Sequence, residues 1–284
     1  MSFKRIVFGA AVKSSKAAAR FLGKSRQYLV LTEFIEQLTP IVNEETSRGG
    51  IKFYCPGRIP LWRAETLLSK EPETIQWIDG FAQGGVFWDI GANIGVYSLY
   101  AGRRGDIRVL SFEPSAANYY LLCKNIEING MDSLISGYCI AFSDASKVGS
   151  LNMSATFPGG ALSCFGQVQD AYTVGNHTYG VTFNQGMLGF SVDDFIEKFS
   201  PPFPNHIKID VDGIEDKIIE GATKTLSNPN LKSLLIELDT DDKEYCSRVI
   251  SILQNAGMKL ISDKHTQTYD HGEFASMHNH IFSR

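Results

Sequence analysis

The chain has 284 residues, 43% of them hydrophobic and 20% charged, and a formal net charge of −4. That length suits one large α/β domain plus an extension without covalent staples, and the mild acidity carries no overall nucleic-acid signature. Cys55, Cys123, Cys139, Cys164 and Cys246 are odd in number and lack metal-ligand spacing, so neither a disulfide framework nor a zinc site is indicated and a reducing cytoplasm is the simplest compartment; no apolar run approaches a membrane-spanning length.

Residues 1–26 hold seven Lys or Arg (Lys4, Arg5, Lys13, Lys16, Arg20, Lys24, Arg26), and no acid precedes Glu33. This basic segment suits a solvated helical extension, a transit peptide, or peripheral contact with the anionic inner face of a membrane. Leu31, Phe34, Ile35, Leu38, Ile41 and Val42 keep helical spacing, so one helix is expected to run on to Gly49-Gly50. The expected organisation is a basic helical extension over 1–50 and one domain over 51–284. From Ile51 to Phe81, a short strand and turns lead to a helix opened by Pro72, with Ile75, Ile78 and Phe81 on its buried face. Arg63, Glu71 and Thr74, just upstream of the next strand, serve either as caps and surface charges or as the lining of a ligand site.

Val86 to Gly102 reads VFWDIGANIGVYSLYAG, a buried strand feeding a glycine turn and a helix. Alone, this DxGxxxG pattern is also what any tight strand-to-helix turn requires. A dinucleotide fingerprint places glycine at the middle position so that the backbone meets a pyrophosphate; here that position is Asn93. Asp89 ahead of the turn would repel a diphosphate and suits an ammonium, which favours S-adenosylmethionine (SAM). Asp89, Gly91, Ala92, Asn93 and Gly95 are the candidate cradle. Arg108 to Glu113 forms a second strand, and Glu113-Pro114 ends it 22 residues beyond Gly91, near the spacing at which an acid meets ribose hydroxyls. The next helix, about 115–129, closes at Asn129-Gly130. A third strand over about 135–142 ends at Ser143-Asp144, where the adenine is expected to lie, with Ala141 and Phe142 as candidate cofactor contacts.

Over 148–190 periodicity fades and Gly, Ser, Thr and aromatics are frequent; a connection this long is usually functional or carries its own small hairpin, and a flap on the acceptor side is expected. Ser191 to Asp194 is a capping box for a short helix closed by Pro201-Pro202. His206 to Asp212 (HIKIDVD) reads as the fourth strand, yet Lys208, Asp210 and Asp212 then share one face of a central strand, where charge is expensive unless paired or used. Either Lys208 and Asp210 form a structural ion pair, or the group faces a ligand at the carboxyl edge of the sheet. Asp210 is the candidate acceptor-orienting group or base, Lys208 its neighbour and Asp212 its rival. Two carboxylates at i and i+2 do not by themselves make a metal site. Glu215 opens the next helix, where the helix dipole accounts for it. Ser233 to Asp239, a helix over about 242–256 and two last strands complete the pattern.

With these residues in view, the chain resembles the FkbM family of SAM-dependent methyltransferases from about Phe53 to the C-terminus. The resemblance rests on KEPETIQWID (70–79), FWDIGANIGVYSLYA (87–101), FEPSAANYYLLCKNIEING (112–130), IAFSD (140–144), SVDDF (191–195), IKIDVDGIEDKIIEGA (207–222) and NHIFSR (279–284). It implies a class I, Rossmann-like methyltransferase fold: a seven-stranded, mostly parallel sheet with helices on both faces and an antiparallel last strand. It further implies that Asp89, Gly91, Asn93 and Gly95 cradle SAM, that Glu113 holds its ribose and that KIDVDG faces the reaction; the family commonly has Glu where Asp212 stands. The implied reaction is O-methylation of a hydroxyl on a small molecule or glycan. The alternatives are an NAD(P)-dependent oxidoreductase, disfavoured by Asp89 and Asn93, and a catalytically silent scaffold in glycan assembly.

Overall fold

The computed structural model of the protein describes residues 13–14, 17, 23–167, 169–174, 177–264 and 275–284. Lys4, Arg5, Lys16 and Arg20 of the basic segment lie outside them. The chain divides into two compact units, one reaching Ile41 and the other starting at Val42. The first unit holds helix α1 (Lys24–Leu38). The helix expected to continue to Gly49-Gly50 ends here instead: Pro40 lacks an N–H and pushes Thr39 into extended backbone, at φ −67° and ψ 118°. Strands β1 (Ile41–Thr46) and β2 (Gly49–Tyr54) then pair with each other. Helix α2 (Arg58–Glu65), which no periodicity signalled, precedes α3 (Pro72–Asp79), where Pro72 takes the first helical turn and Ile78 and Phe81 are buried.

Next come β3 (Val86–Ile90), α4 (Val96–Gly102), β4 (Arg108–Phe112), α5 (Ala116–Asn129) and β5 (Ile135–Tyr138). The expected third strand stops at Tyr138. Its last two residues form a separate strand, β6 (Ala141–Phe142), which pairs with an insert instead of the main sheet. That insert comprises β7 (Lys147–Met153), β8 (Ser163–Gly166), β9 (Ala171–Val174), β10 (His177–Gly180) and β11 (Phe183–Phe190). Strands β6, β11, β7 and β8 make one small sheet, and β9 and β10 make a hairpin. Helix α6 (Val192–Phe199) starts as the capping box predicts, with the Ser191 hydroxyl accepting from the Asp194 N–H at 3.1 Å. The chain then runs through β12 (His206–Ile209), α7 (Glu215–Glu220), α8 (Thr223–Ser227), β13 (Ser233–Asp239), α9 (Lys243–Asn255), β14 (Lys259–Lys264) and β15 (Met277–Ser283).

The main sheet has seven strands in the order β5-β4-β3-β12-β13-β15-β14. β15 is antiparallel to both its neighbours, while β3 is parallel to β4 and β12. Side chains alternate across the sheet. Trp88, Ile90, Phe112, Ile207 and Ile209 enter one core with Phe142 and Phe195, and Phe87, Val109 and Ile135 enter the other with Phe53, Ile78 and Leu99. Burial on both faces explains the near-continuous apolar runs of β3, β4 and β13. The sequence reverses direction across the β3–β12 pair, which places a ligand crevice at their carboxyl ends.

Candidate active site

The turn after β3 is held from below and crowded from the side. The N–H groups of Gly91 and Ala92 both donate to the Phe112 carbonyl, at 2.9 and 3.0 Å. Gly91 has φ +85°, and a Cβ there would stand 1.8 Å from the Asp210 carbonyl oxygen. Glycine is therefore required by the approach of the β12 end as well as by the backbone conformation. A Cβ at Gly95 would meet Leu122 of α5 at 2.6 Å, so this glycine serves helix packing. Asn93 also has positive φ, a conformation asparagine tolerates.

A polar row crosses the buried sheet beneath the turn. In register, Lys208 of β12 lies beside Asp89 of β3, which lies beside Ser111 of β4. Ser98 donates to Asp89 Oδ2 at 2.5 Å, and Ser111 donates to the Ser98 hydroxyl at 2.7 Å. Asp89 Oδ1 is buried with no hydrogen-bond partner. Burial pushes the Asp89 pKa up, with Lys208 and Ser98 opposing. An unpaired buried carboxylate oxygen under a glycine turn is a seat for a cationic donor, and this is where the donor set fits the ammonium of SAM.

Four alternating charges line and underlie the cleft. Lys208, 1% exposed, is ion-paired to Asp210. Lys70 contacts Glu71 at 2.6 Å, and Thr74 donates to the same carboxylate at 3.0 Å. Burial works against ionisation of Glu71, yet Lys70 and Lys208 outweigh it and hold its pKa near about 2. Burial likewise opposes the charge of Lys208, but Asp210, Glu71 and Asp89 raise its pKa above the usual lysine value. The Lys208 ammonium also sits 5.0 Å from the centre of the Tyr97 ring. Above this network opens a cleft lined by Gly91–Asn93, Tyr97, Arg63, Thr66, Lys70, Lys208 and Asp210.

Glu113 stands at the tip of β4 with both oxygens engaged: Oε2 accepts from the Asn93 N–H and Oε1 from the Ser115 N–H, each at 2.8 Å. Burial pushes its pKa up to about 7 against these bonds. The insert straps across from this point. The Gly160 carbonyl accepts from the side-chain amides of Asn93 and Asn118, both at 2.9 Å, and the Gly159 N–H donates to Asn118 at 2.8 Å. Asp212 fastens the other end, accepting from the Ser163 N–H at 2.8 Å.

Several sequence expectations meet a different geometry. β12 ends at Ile209, so Asp210 and Asp212 lie beyond the strand and do not share a pleated face with Lys208. Lys208 and Asp210 join at the cleft floor, whereas Asp212 turns to the insert, and burial raises its pKa to about 6. Phe142 packs in the aromatic core, its ring 4.8 Å from that of Phe112, and Ala141 is buried in the small sheet. Pro114 offers its carbonyl to Gln185 of β11 at 2.7 Å. Glu215 is more than a dipole partner: it is buried and accepts from the Tyr245 hydroxyl at 2.6 Å, and burial raises its pKa to about 8. Of Arg63, Glu71 and Thr74, Arg63 lines the cleft and the other two lie buried behind Lys70. Lys70, Thr66 and Tyr97 were missed; the one local signal was the position of Lys70 next to Glu71. Among the described residues, no three His, Cys, Asp or Glu side chains group as metal ligands.

The strand order, the acid-led glycine turn and the acid at the next strand tip define a class I methyltransferase that uses SAM. Residues 89–260 match the methyltransferase FkbM domain, and the chain belongs to that family. It is 22% identical to the hexuronic acid methyltransferase AglP of Haloferax volcanii over 200 residues, 70% of this chain and 76% of AglP. Similar solved structures include methyltransferase FkbM of Methylobacillus flagellatus, at 17% identity and TM-score 0.47 over 72% of this chain; the match spans 44% of that longer protein. Another is Sp1610 of Streptococcus pneumoniae, a putative tRNA (m1A22) methyltransferase in complex with S-adenosyl-L-methionine, at 12% identity and TM-score 0.43 over 74% of this chain and 72% of that one.

Proposed function

We propose that the protein transfers a methyl group from SAM to a hydroxyl of a sugar, in a glycan or a glycosylated natural product. The observation that carries this reading is the meeting of the Gly91 turn and the Lys208–Asp210 pair at one cleft, on the carboxyl edge between β3 and β12. The name of the relative AglP supports a sugar acceptor. SAM, when bound, supplies an electrophilic methyl group on a sulfonium. Asp89 would hold its ammonium, Glu113 would accept from its ribose hydroxyls, and the turn backbone would hold its methionine end. Asp210 accepts the hydrogen bond of the attacking hydroxyl and so aims its oxygen at the methyl carbon. Asp210 would take up the proton of that hydroxyl or relay it to water as the oxygen is methylated.

Calorimetric titration with SAM, S-adenosylhomocysteine and NAD tests the cofactor assignment; binding of NAD without either adenosyl compound overturns it. Asp210→Asn is expected to keep S-adenosylhomocysteine affinity and to lower the methyl-transfer rate on a sugar acceptor by about 10² to 10⁴. Full turnover of that variant removes Asp210 from the mechanism.

A further inference from the structure

The cleft holds three cations, and two are already matched. Lys208 is paired with Asp210, and Lys70 contacts Glu71 at 2.6 Å. Arg63 is different. Its Nε donates to the Gly159 carbonyl at 2.7 Å, which fixes the plane of the guanidinium, and its two terminal nitrogens make no hydrogen bond or ion pair with a described residue. The guanidinium also lies 5.9 Å from the centre of the Trp62 ring. A fixed planar fork with an open donor edge suits a carboxylate, which it engages through two parallel bonds. Among the described residues no carboxylate makes that contact, although the charge of Asp212 acts on Arg63 from a distance.

We propose that Arg63 is the seat of a ligand carboxylate in this cleft. The inference rests on the SAM-dependent reading above. Two sources share the chemistry: the methionyl carboxylate of the cofactor, and the carboxylate of an acidic sugar acceptor. Either would lie against Arg63 in the cleft that Thr66, Gly91 and Asn93 also line.

Arg63→Gln keeps a side-chain amide near Gly159 and removes the charge and the fork. S-adenosylhomocysteine and 5′-methylthioadenosine, which lacks the amino-acid end, are titrated into both proteins; glucuronate and glucose are then offered to the S-adenosylhomocysteine-loaded proteins and followed by saturation-transfer NMR. If the cofactor carboxylate sits on Arg63, the variant binds S-adenosylhomocysteine about ten- to a hundredfold more weakly while methylthioadenosine binding holds, which also shows that the variant is folded. If the carboxylate comes from the acceptor, S-adenosylhomocysteine binding is unchanged and the wild type, unlike the variant, binds glucuronate in preference to glucose. Equal S-adenosylhomocysteine affinity together with identical glucuronate behaviour in the two proteins overturns the proposal. A wild type that binds neither adenosyl compound overturns the methyltransferase reading instead.

Discussion

Replacing Glu113 by glutamine separates its structural bonds from its ligand bond. In the wild type both carboxylate oxygens accept a backbone N–H, from Asn93 and Ser115, while burial raises the pKa to about 7. A glutamine keeps one acceptor and turns an NH₂ toward the other N–H. The ligand site then loses a charged acceptor, worth about 1.5–3 kcal/mol, or roughly 10- to 150-fold in S-adenosylhomocysteine affinity. The wild type carries a second signature. Only the ionised carboxylate can accept from both ribose hydroxyls, so affinity should rise about tenfold between pH 6 and pH 8 as the group loses its proton. Folding stability runs the other way: the pKa is raised from 4.5 to about 7, so the protonated group contributes stability below 4.5 that is lost as pH rises through 7. Asp212, which titrates near about 6, is present in both proteins, so comparing the two pH profiles cancels it. Calorimetry at pH 6, 7 and 8 on both proteins is the measurement. A wild-type affinity that is flat across this range, or a glutamine variant with the same slope, refutes the assignment of Glu113 to the ribose.

Gly91→Ala forces a Cβ to within 1.8 Å of the Asp210 carbonyl, so S-adenosylhomocysteine binding should fall by more than about tenfold, equivalent to about 1.4 kcal/mol or more. Gly84→Ala has a similar positive φ with open space around it and is the control; circular dichroism checks both folds. Lys208→Met leaves Asp210, Glu71 and Asp89 without their shared buried cation, and urea denaturation should show a loss of about 3–5 kcal/mol, whereas a loss under about 1 kcal/mol refutes the network. Asp212→Ala removes the acceptor of the Ser163 N–H and unfastens the insert there, and proteolytic nicking within 154–167 should speed up. Because burial raises its carboxyl to about 6 in the fastened insert, fastening is favoured as the group takes up its proton, so nicking of the wild type should be slower at pH 5 than at pH 7.5, and the variant should show no such pH step.

Local sequence signals carried the parts of the structure that local physics determines. The β3 turn, Glu113 at the tip of β4, Gly130 as a left-handed helix end and the Ser191 capping box all stand where spacing placed them. Failures came where a second segment decides. Helical spacing through Ile41 and Val42 was real, but Pro40 and pairing with β2 made those residues a strand. Ala141 and Phe142 extend an apolar run whose continuation is claimed by β11 of the insert. The period of two that put Asp212 beside Asp210 assumed a strand two or three residues longer than the one that forms. Lys70 and Glu71 meet Lys208 only because α3 and the segment before it pack on the sheet, a contact that no window of sequence contains.

The charge pattern at the cleft floor decides between a structural and a functional account of Lys208. Taken as a pair, Lys208 and Asp210 offer weak grounds for stability, since burying a lysine costs several kcal/mol and a well-packed apolar pair in its place is often neutral or better. The lysine nevertheless sits 1% exposed on a central strand, with Glu71, Asp89 and Asp210 all acting on it and a second cation, Lys70, balancing Glu71. A network of this kind fixes both signs of charge at known positions before any ligand arrives, so little reorganisation is left to the moment of reaction. That is what a zwitterionic, sulfonium-bearing cofactor demands of its pocket. On the proposed reading, a negative seat at Asp89, a positive seat at Arg63 and an orienting carboxylate at Asp210 would be incompatible neighbours in a dry cleft without Lys208 and Lys70 between them. On that proposed reading the buried lysine serves the site it holds apart, and Lys208→Met and Asp210→Asn should differ: the first collapses the spacing of the charges, while the second removes one of them and leaves Glu71 and Asp89 to hold the lysine.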